Sequence, residues 1–173
     1  MSIADGESTP RTRVVTWHDP KPTAVAGASM AGLDFVRAVQ DMQLPTAPMH
    51  ELMQISIASV EFGKVVFTCR PDESAYNAIG TVHGGLVCTL LDAVMGGATH
   101  TTMSQGRGFS SVEIKVNYLK AVQHSSGMLT ATGTVVKSGS RVAFAEGAVV
   151  NASGALVATA SSTLLVFDTK TQG

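Results

Sequence analysis

The spacing of apolar residues changes along the chain, and each kind of spacing predicts one kind of element. Residues 55–62 are mainly apolar, Gly63 interrupts them, and apolar and polar positions alternate in residues 64–70. Two such runs joined by a glycine predict a β-hairpin. After a loop at 71–83, residues 84–103 are small and apolar without alternation, which predicts a buried helix.

Beyond this helix the apolar positions recur at every second residue, which predicts strands. The predicted strands cover residues 111–118, 129–135, a segment that starts at Val142, and 156–167. Because turns join them, we expect these four strands to pair as consecutive antiparallel neighbours. Together with the hairpin, they predict an α+β fold in which a six-stranded antiparallel sheet curls around one apolar helix.

The segment ahead of the hairpin has weaker signals. Apolar residues recur at helical spacing from 31 to 42, and prolines at 45 and 48 end that pattern, which predicts one short helix and a linker. We expect residues 1–29 to be poorly ordered at the start, with Trp17 anchored on the domain. The predicted division is an N-terminal extension at 1–48, a domain at 49–168 and a flexible tail at 169–173.

Composition and charge exclude several classes of protein. The chain has 173 residues, of which 45% are hydrophobic, enough for the core of one domain. A net charge of −1 without a basic run argues against a nucleic-acid partner. The most apolar stretch, residues 86–98, is too short to span a bilayer, and we find no signal peptide. Cys69 and Cys88 form no CxxC pair, so we expect free thiols and a cytoplasmic protein.

Asp92 is the first candidate for chemistry. With histidines neutral, it is the only formal charge between Glu73 and Arg107, and it lies in the most apolar predicted helix. A carboxylate there is costly unless it is paired, hydrogen-bonded or open to a cleft. Carboxylates in apolar clefts are also where general bases are found. A position on the solvent face of the helix, or a cap on a nearby loop, would explain Asp92 without any chemistry.

A glycine pair directly precedes the same helix, in the sequence Thr-Val-His-Gly-Gly at 81–85. The first N–H groups of a helix lack internal partners and carry the positive end of the helix dipole. A glycine at this position lets a ligand approach them closely. Gly84 could therefore polarise a carbonyl oxygen that becomes an oxyanion, although a tight turn into the helix would also need small residues.

Gly84 and Asp92 are too far apart to act together within one chain. Eight residues correspond to roughly 12 Å along a helix, whereas both groups must lie within about 3 Å of the same reacting carbon. Two antiparallel copies of the helix would bring Gly84 of one chain to Asp92 of the other. This geometry predicts sites shared across a two-fold axis, two in each dimer.

The motifs resemble a known family. Residues 76–85, Tyr-Asn-Ala-Ile-Gly-Thr-Val-His-Gly-Gly, followed by Leu-Leu-Asp at 90–92, resemble the signature of the PaaI-type hotdog-fold acyl-CoA thioesterases. Residues 111–118 are similar to the third strand of that family, and Thr-Trp-His-Asp-Pro at 16–20 is similar to the lead-in of bacterial members. The resemblance covers about 50–168. It implies a hotdog fold, hydrolysis of an acyl-CoA to free acid and CoA without a cofactor, and a homodimer as the minimum active unit within a homotetramer.

The resemblance also implies roles for individual residues. Asp92 matches the acid that activates water or attacks the thioester itself. Gly84 matches the N–H donor to the carbonyl, and we place Gly85 beside it in substrate binding. Asn77 matches a side chain that helps to hold the carbonyl or the water.

Further matches are less direct. His83 matches a histidine that lies near the thioester, although a loop histidine often only bonds a backbone carbonyl. Ser111 matches a hydroxyl that orients the water, and Ser110 makes this alignment uncertain by one position. Lys137 and Arg141 flank a turn and are candidates for binding CoA phosphates, although solvated turn charges would give the same pattern.

Other chemistries find less support in the sequence. No GxSxG elbow is present, and neither cysteine has an adjacent histidine motif. His50, His100 and His124 lack ligand spacing, so we expect no metal. An acyl-thioester dehydratase would usually have a proline-rich loop after the histidine, and a non-catalytic acyl-CoA sensor would lack the acid. The identity of the acyl group, and the choice between water activation and an acyl-enzyme anhydride, stay open.

Overall fold

The computed structural model describes residues 9–169. The predicted flexible tail therefore lies outside the described residues, apart from Thr169. The helices are α1 (Pro20–Ala28), α2 (Gly32–Gln40), α3 (Pro48–Met53) and α4 (Gly84–His100). The strands are β1 (Ile55–Glu61), β2 (Lys64–Cys69), β3 (Arg107–Tyr118), β4 (Leu129–Ser138), β5 (Val142–Val150) and β6 (Leu156–Asp168).

All six strands form one antiparallel sheet in the order β1-β2-β4-β5-β6-β3. The predicted hairpin and the predicted six-stranded sheet around a helix are confirmed. The expectation that all four later strands pair consecutively is wrong for β3, which pairs with β6 at the sheet edge while β4 pairs with β2. The reason is the connection at 119–128, which is too long for a tight hairpin and is held across the fold by a bond from the Val82 N–H to the Val122 carbonyl (3.0 Å).

Helix α4 lies against the concave face of the sheet and supplies the centre of the core. Leu90, Leu91, Val94 and Met95 are completely buried. The sheet approaches the helix so closely that a Cβ at Gly133 would lie 2.4 Å from the Val94 carbonyl oxygen. The face turned away from the sheet carries smaller and polar residues, which are half-buried or exposed: Gly85, Cys88, Thr89 and Asp92.

The described part of the N-terminal extension contains two helices, α1 and α2, where we expected a single one. The predicted helix at 31–42 is present as α2, whose Gln40 side chain donates to the Ala58 carbonyl (3.1 Å). The unexpected α1 begins at Pro20, where Asp19 accepts from the Lys21 N–H (3.0 Å). Its prolines lie in the first turn, where a proline is compatible with a helix.

Two further details of the N-terminal region differ from the prediction. The linker at 45–48 leads directly into α3, which begins at Pro48. Trp17 is 62% exposed, so its expected anchoring on the domain is wrong.

Candidate active site

Asp92 is exposed on the outer face of α4 and has one hydrogen-bond partner among residues 9–169. The Ser111 hydroxyl of β3 donates to its Oδ1 across 2.8 Å. Of the two adjacent serines, Ser111 is therefore the one that reaches the carboxylate. A β-bulge at Val112 follows immediately, where the pairing of β3 with β6 shifts.

The start of α4 presents one backbone donor to its surroundings. His83 is the N-cap, and its Nδ1 accepts from the Gly85 N–H (2.8 Å). The Leu86 N–H donates to the His83 carbonyl (3.0 Å). Within residues 9–169 the Gly84 N–H has no acceptor, so this group lies at the positive end of the helix dipole with its hydrogen-bonding capacity unused. A role for Gly85 would then rest on close approach to its Cα and not on its N–H.

Tyr118 encloses Gly84 from the other side, which the sequence did not indicate. Its hydroxyl donates to the Gly84 carbonyl (3.0 Å), and its ring lies 3.3 Å from where a Cβ of residue 84 would be. Burial, with a smaller contribution from Cys88, raises the pKa of Tyr118 above its ordinary value. The phenol therefore stays protonated and able to donate at neutral pH.

Asn77 shapes the loop that leads into α4. Its Oδ1 accepts from the N–H groups of Ile79 and Thr81 (3.1 Å each), and its Nδ2 donates to the Thr81 hydroxyl (2.8 Å). The His83 N–H then bonds the Ala75 carbonyl (2.8 Å) and fixes the N-cap. The Asn77 amide has two hydrogens, so one of them stays available to a ligand.

A cleft of about 550 Å³ opens beside the helix start. His83, Gly85 and Thr89 form one wall. The opposite wall includes Arg13, which bonds Ser74 (2.7 Å) and pairs with Asp72 (3.3 Å). The N-terminal segment thus contributes to the surroundings of the helix start, which its loose composition did not suggest.

Lys137 and Arg141 lie at the other end of α4. Both are exposed around the β4–β5 turn. The Ser138 hydroxyl contacts the Thr102 hydroxyl just beyond the helix C-terminus (2.9 Å). Since α4 has 17 residues, about 24 Å of helix separates this turn from Gly84 of the same chain. The chain therefore does not bring the two cations to its own helix start.

Gly84 and Asp92 also stay apart within one chain. They lie about two helical turns from each other on α4, which corresponds to roughly 12 Å. Within one chain, Asp92 with Ser111 and the helix start with His83, Asn77 and Tyr118 are therefore two separate groups of residues. Among the described residues there is neither a cluster of three potential metal ligands nor a helix long and apolar enough to cross a membrane.

Comparison with known proteins places the chain in a family. Residues 79–158 match the family described as the thioesterase superfamily. Human acyl-coenzyme A thioesterase 13 is 33% identical over 108 residues, which are 62% of this chain and 76% of the human protein.

Solved structures share the fold. The E. coli PaaI protein has a TM-score of 0.68 at 20% identity, covering 80% of this chain and 96% of its own. A Streptococcus mutans protein bound to acetyl-CoA has a TM-score of 0.61 at 28% identity, covering 66% of this chain and 89% of its own.

The chain belongs to the thioesterase superfamily and has the hotdog fold. The predicted resemblance to PaaI-type proteins is confirmed, and the protein is a thioester hydrolase.

Proposed function

We propose that the protein hydrolyses acyl-CoA thioesters to a free acid and CoA, at sites that two chains build together. The observation that carries this proposal is the bond between Ser111 and Asp92 on the outer face of the same helix whose first N–H, at Gly84, has no acceptor within residues 9–169. An acid with an oriented hydroxyl and a preorganised oxyanion donor are the two parts that thioester hydrolysis needs.

The reaction begins when the Gly84 N–H binds the thioester carbonyl oxygen. Asp92 takes a proton from a water molecule that Ser111 orients, and the water oxygen adds to the carbonyl carbon. The tetrahedral intermediate collapses, the carbon–sulfur bond breaks, and the CoA sulfur leaves as a thiolate that gains a proton. In the covalent alternative the Asp92 carboxylate attacks the carbonyl carbon and expels the CoA thiolate, which gains a proton. Water then hydrolyses the resulting anhydride, which releases the acid and restores the Asp92 carboxylate.

The edge of the sheet supports pairing of two chains. Strand β3 has one sheet neighbour, β6, and its outer edge is unpaired within residues 9–169. Long unpaired edges favour pairing with another strand. Several apolar side chains on or next to β3 are exposed: Val112, Tyr118 and Leu119 are 60%, 55% and 58% accessible. Joining two β3 edges would cover them and place the outer faces of two α4 helices side by side.

We extend the proposal to substrate recognition and assembly. The human relative is named an acyl-CoA thioesterase and the S. mutans relative binds acetyl-CoA, which supports CoA as the leaving group. In such a dimer Lys137 and Arg141 of one chain would lie toward the helix start of the partner, where they can meet CoA phosphates. We further propose a homotetramer in the cytoplasm, where the free thiols of Cys69 and Cys88 stay reduced.

A panel of acyl-CoA substrates tests the function, with the released thiol measured by a colour reagent. The wild-type protein should hydrolyse at least one member, and Asp92→Asn should lower turnover at least about a hundredfold while circular dichroism stays unchanged. Asp34→Asn, on the exposed face of α2, is the matched control and should retain activity. A folded Asp92→Asn protein with near-normal turnover would remove Asp92 from the mechanism.

A further inference from the structure

A second cavity, of about 350 Å³, lies under the N-terminal helices. Its roof is formed by α1, α2 and the segment leading into α3, and its floor by β1, β2, α4 and β3. The roof residues lie between 20 and 50, ahead of the part of the chain that matches the thioesterase family at 79–158. The roof of this cavity is therefore built by elements that the family match does not include.

The cavity begins next to the acid of the proposed site. Ala93, the residue after Asp92, lines it together with Gly97. Phe109 forms the adjoining wall, and its ring lies 3.0 Å from where a Cβ of Gly96 would be. Phe109 and Ser111 pair with the buried β6 residues at 166 and 164, so both side chains face α4. A thioester whose carbonyl carbon lies beside Asp92 and Ser111 would thus have its acyl substituent at the mouth of this cavity.

The cavity walls are mainly apolar but contain groups that could form further hydrogen bonds. Among residues 9–169 the fully buried Thr23 hydroxyl oxygen has no hydrogen-bond partner. The His100 ring lies between Phe35 and Phe109, at centroid distances of 4.9 and 5.6 Å, and has no hydrogen bond within residues 9–169. A buried hydroxyl without a partner is costly, so a ligand that supplies one would bind more favourably than a purely apolar ligand.

The same walls disfavour a charged ligand. Among the described residues that line the cavity, none is a Lys, Arg, Asp or Glu. Burial lowers the pKa of both lining histidines, His50 and His100, so their rings are neutral at pH 7. The Nδ1 of His50 bonds the Thr46 hydroxyl (3.1 Å), which leaves Nε2 for a ligand. A carboxylate or ammonium group would lose its hydration here without gaining a countercharge.

We propose that this cavity holds the acyl part of the substrate and selects an uncharged acyl group that carries a hydroxyl away from the thioester. The N-terminal extension is then the specificity element of the enzyme, and Thr23 is a specificity residue in it. This proposal rests on the acyl-CoA hydrolysis proposed above and names its substrate class.

Substrates that differ only at the end of the acyl chain test whether the cavity selects a hydroxyl-bearing acyl group. Plain acyl-CoAs from butanoyl to decanoyl are compared with their ω-hydroxy and ω-carboxy counterparts by kcat/KM. At one chain length the ω-hydroxy substrate should exceed the plain one by about fivefold, the worth of one neutral hydrogen bond, and the ω-carboxy substrate should be poorest. Thr23→Val keeps the side-chain shape and should make the kcat/KM values of the ω-hydroxy and plain substrates equal. Thr16→Val, an exposed threonine outside the cavity, is the control and should keep the preference.

A variant with a larger side chain in the cavity tests separately whether the acyl group occupies it. Val39 lines the cavity, so Val39→Phe should shift the preferred acyl length downward, whereas Val25→Phe, at a residue of α1 that is 73% exposed, should not. Unchanged length preference in Val39→Phe, or an unchanged hydroxyl preference in Thr23→Val, would overturn the proposal.

Binding of neutral amides separates this proposal from the proposed reaction. If no acyl-CoA is hydrolysed, the proposed function fails. Calorimetry with octanamide and 8-hydroxyoctanamide then still decides on the cavity, because these probes contain no thioester. Tighter binding of the hydroxylated amide to the wild-type protein than to Thr23→Val would support the cavity assignment. Equal binding by both proteins would reject it.

Discussion

The Ser111 hydroxyl and the Asp92 carboxylate, 2.8 Å apart, join the edge strand β3 to the outer face of α4. This contact holds the acid in one direction on an otherwise exposed helix face. It links the sheet edge, where a second chain can pair, to the group that we propose activates water.

The adjacent serines provide a matched pair of variants. Ser111→Ala removes the bond to Asp92 and should lower kcat by about tenfold, because one hydrogen bond to a charged group is worth about 1.5–3 kcal/mol. Ser110→Ala removes the hydroxyl of the neighbouring serine, for which the structure gives no contact with Asp92, and should have little effect on kcat. Steady-state kinetics on both variants measures the difference. Equal losses would mean that the strand, and not the hydroxyl, supports activity.

Mixed dimers test the shared site. Gly84→Pro removes the helix-start N–H, yet a proline fits the first helical position, and His83 already has the extended conformation that precedes proline (φ −63°, ψ 134°). Gly84→Pro and Asp92→Asn homodimers should both be inactive. After subunit exchange, the heterodimer should recover one working site. This site combines Gly84 of the Asp92→Asn chain with Asp92 of the Gly84→Pro chain. Proven exchange without recovered activity would contradict the cross-chain arrangement.

Cys88 offers a test for the position of the proposed two-fold axis. It lies midway between Gly84 and Asp92 on the half-buried outer face of α4, so opposing Gly84 to Asp92 in two antiparallel helices places each Cys88 opposite its copy. A short bis-maleimide should therefore cross-link the dimer, and Cys88→Ser should abolish the cross-link. Cys69 is buried, and burial together with Asp72 raises its pKa to about 11, so it should not react. Complete labelling of Cys88 without cross-linking would place the axis elsewhere.

Lys137 and Arg141 should affect binding more than chemistry. Replacing both with alanine should raise the KM for acyl-CoA several-fold and leave kcat nearly unchanged, because the phosphates lie far from the reacting carbon. A truncated thioester without the nucleotide should show no difference between the two proteins. Both substrates are measured at low salt, where screening is weakest. If the truncated substrate suffers equally, the turn supports the fold and does not bind phosphates.

The lowered pKa values of His50 and His100, which are half-buried, predict how the free energy of unfolding depends on pH. Burial lowers the pKa of His50 and His100 below 6.5 in the folded protein. As the pH falls from about 6.5 toward those lower values, the unfolded chain binds protons that the folded chain does not, so the free energy of unfolding decreases. Urea unfolding at pH 7.5 and 5.5 measures this loss. His50→Phe with His100→Phe should reduce it, and an undiminished loss would show that other groups cause it.

The features predictable from the sequence are those set by neighbouring residues. The spacing of Leu86, Leu90 and Val94 predicted α4, and Gly63 marked the β1–β2 hairpin. The position of β3 was not predictable in this way, because its partner β6 follows two strands later and the connection at 119–128 gives no sign of where it leads. The helix α1 was not predicted, because a proline such as Pro20 can either break a helix or occupy its first turn, and the neighbouring residues do not distinguish the two cases.

The same distinction holds for the site. Asp92 and Gly84 stood out because a charge in an apolar run and a glycine before a helix are local signals. Tyr118 did not, since its contact with Gly84 joins residues 34 positions apart. The cavity under α1 and α2 could not be predicted from the sequence either, because its walls come from seven separate segments of the chain.

The bulge at Val112 determines which face of the sheet the later side chains of the edge strand β3 point to. In a regular strand, Ser111 and Tyr118 are seven positions apart and would point to opposite faces. The extra residue reverses the alternation, so Phe109 and Ser111 before it, and Ile114, Val116 and Tyr118 after it, all pair with inward-facing residues of β6. One strand can thereby contact both Asp92 and the start of α4. Deleting this single residue would leave every other amino acid in place and yet turn one of the two contacts to the wrong side, so the length of β3 is constrained as strictly as its composition.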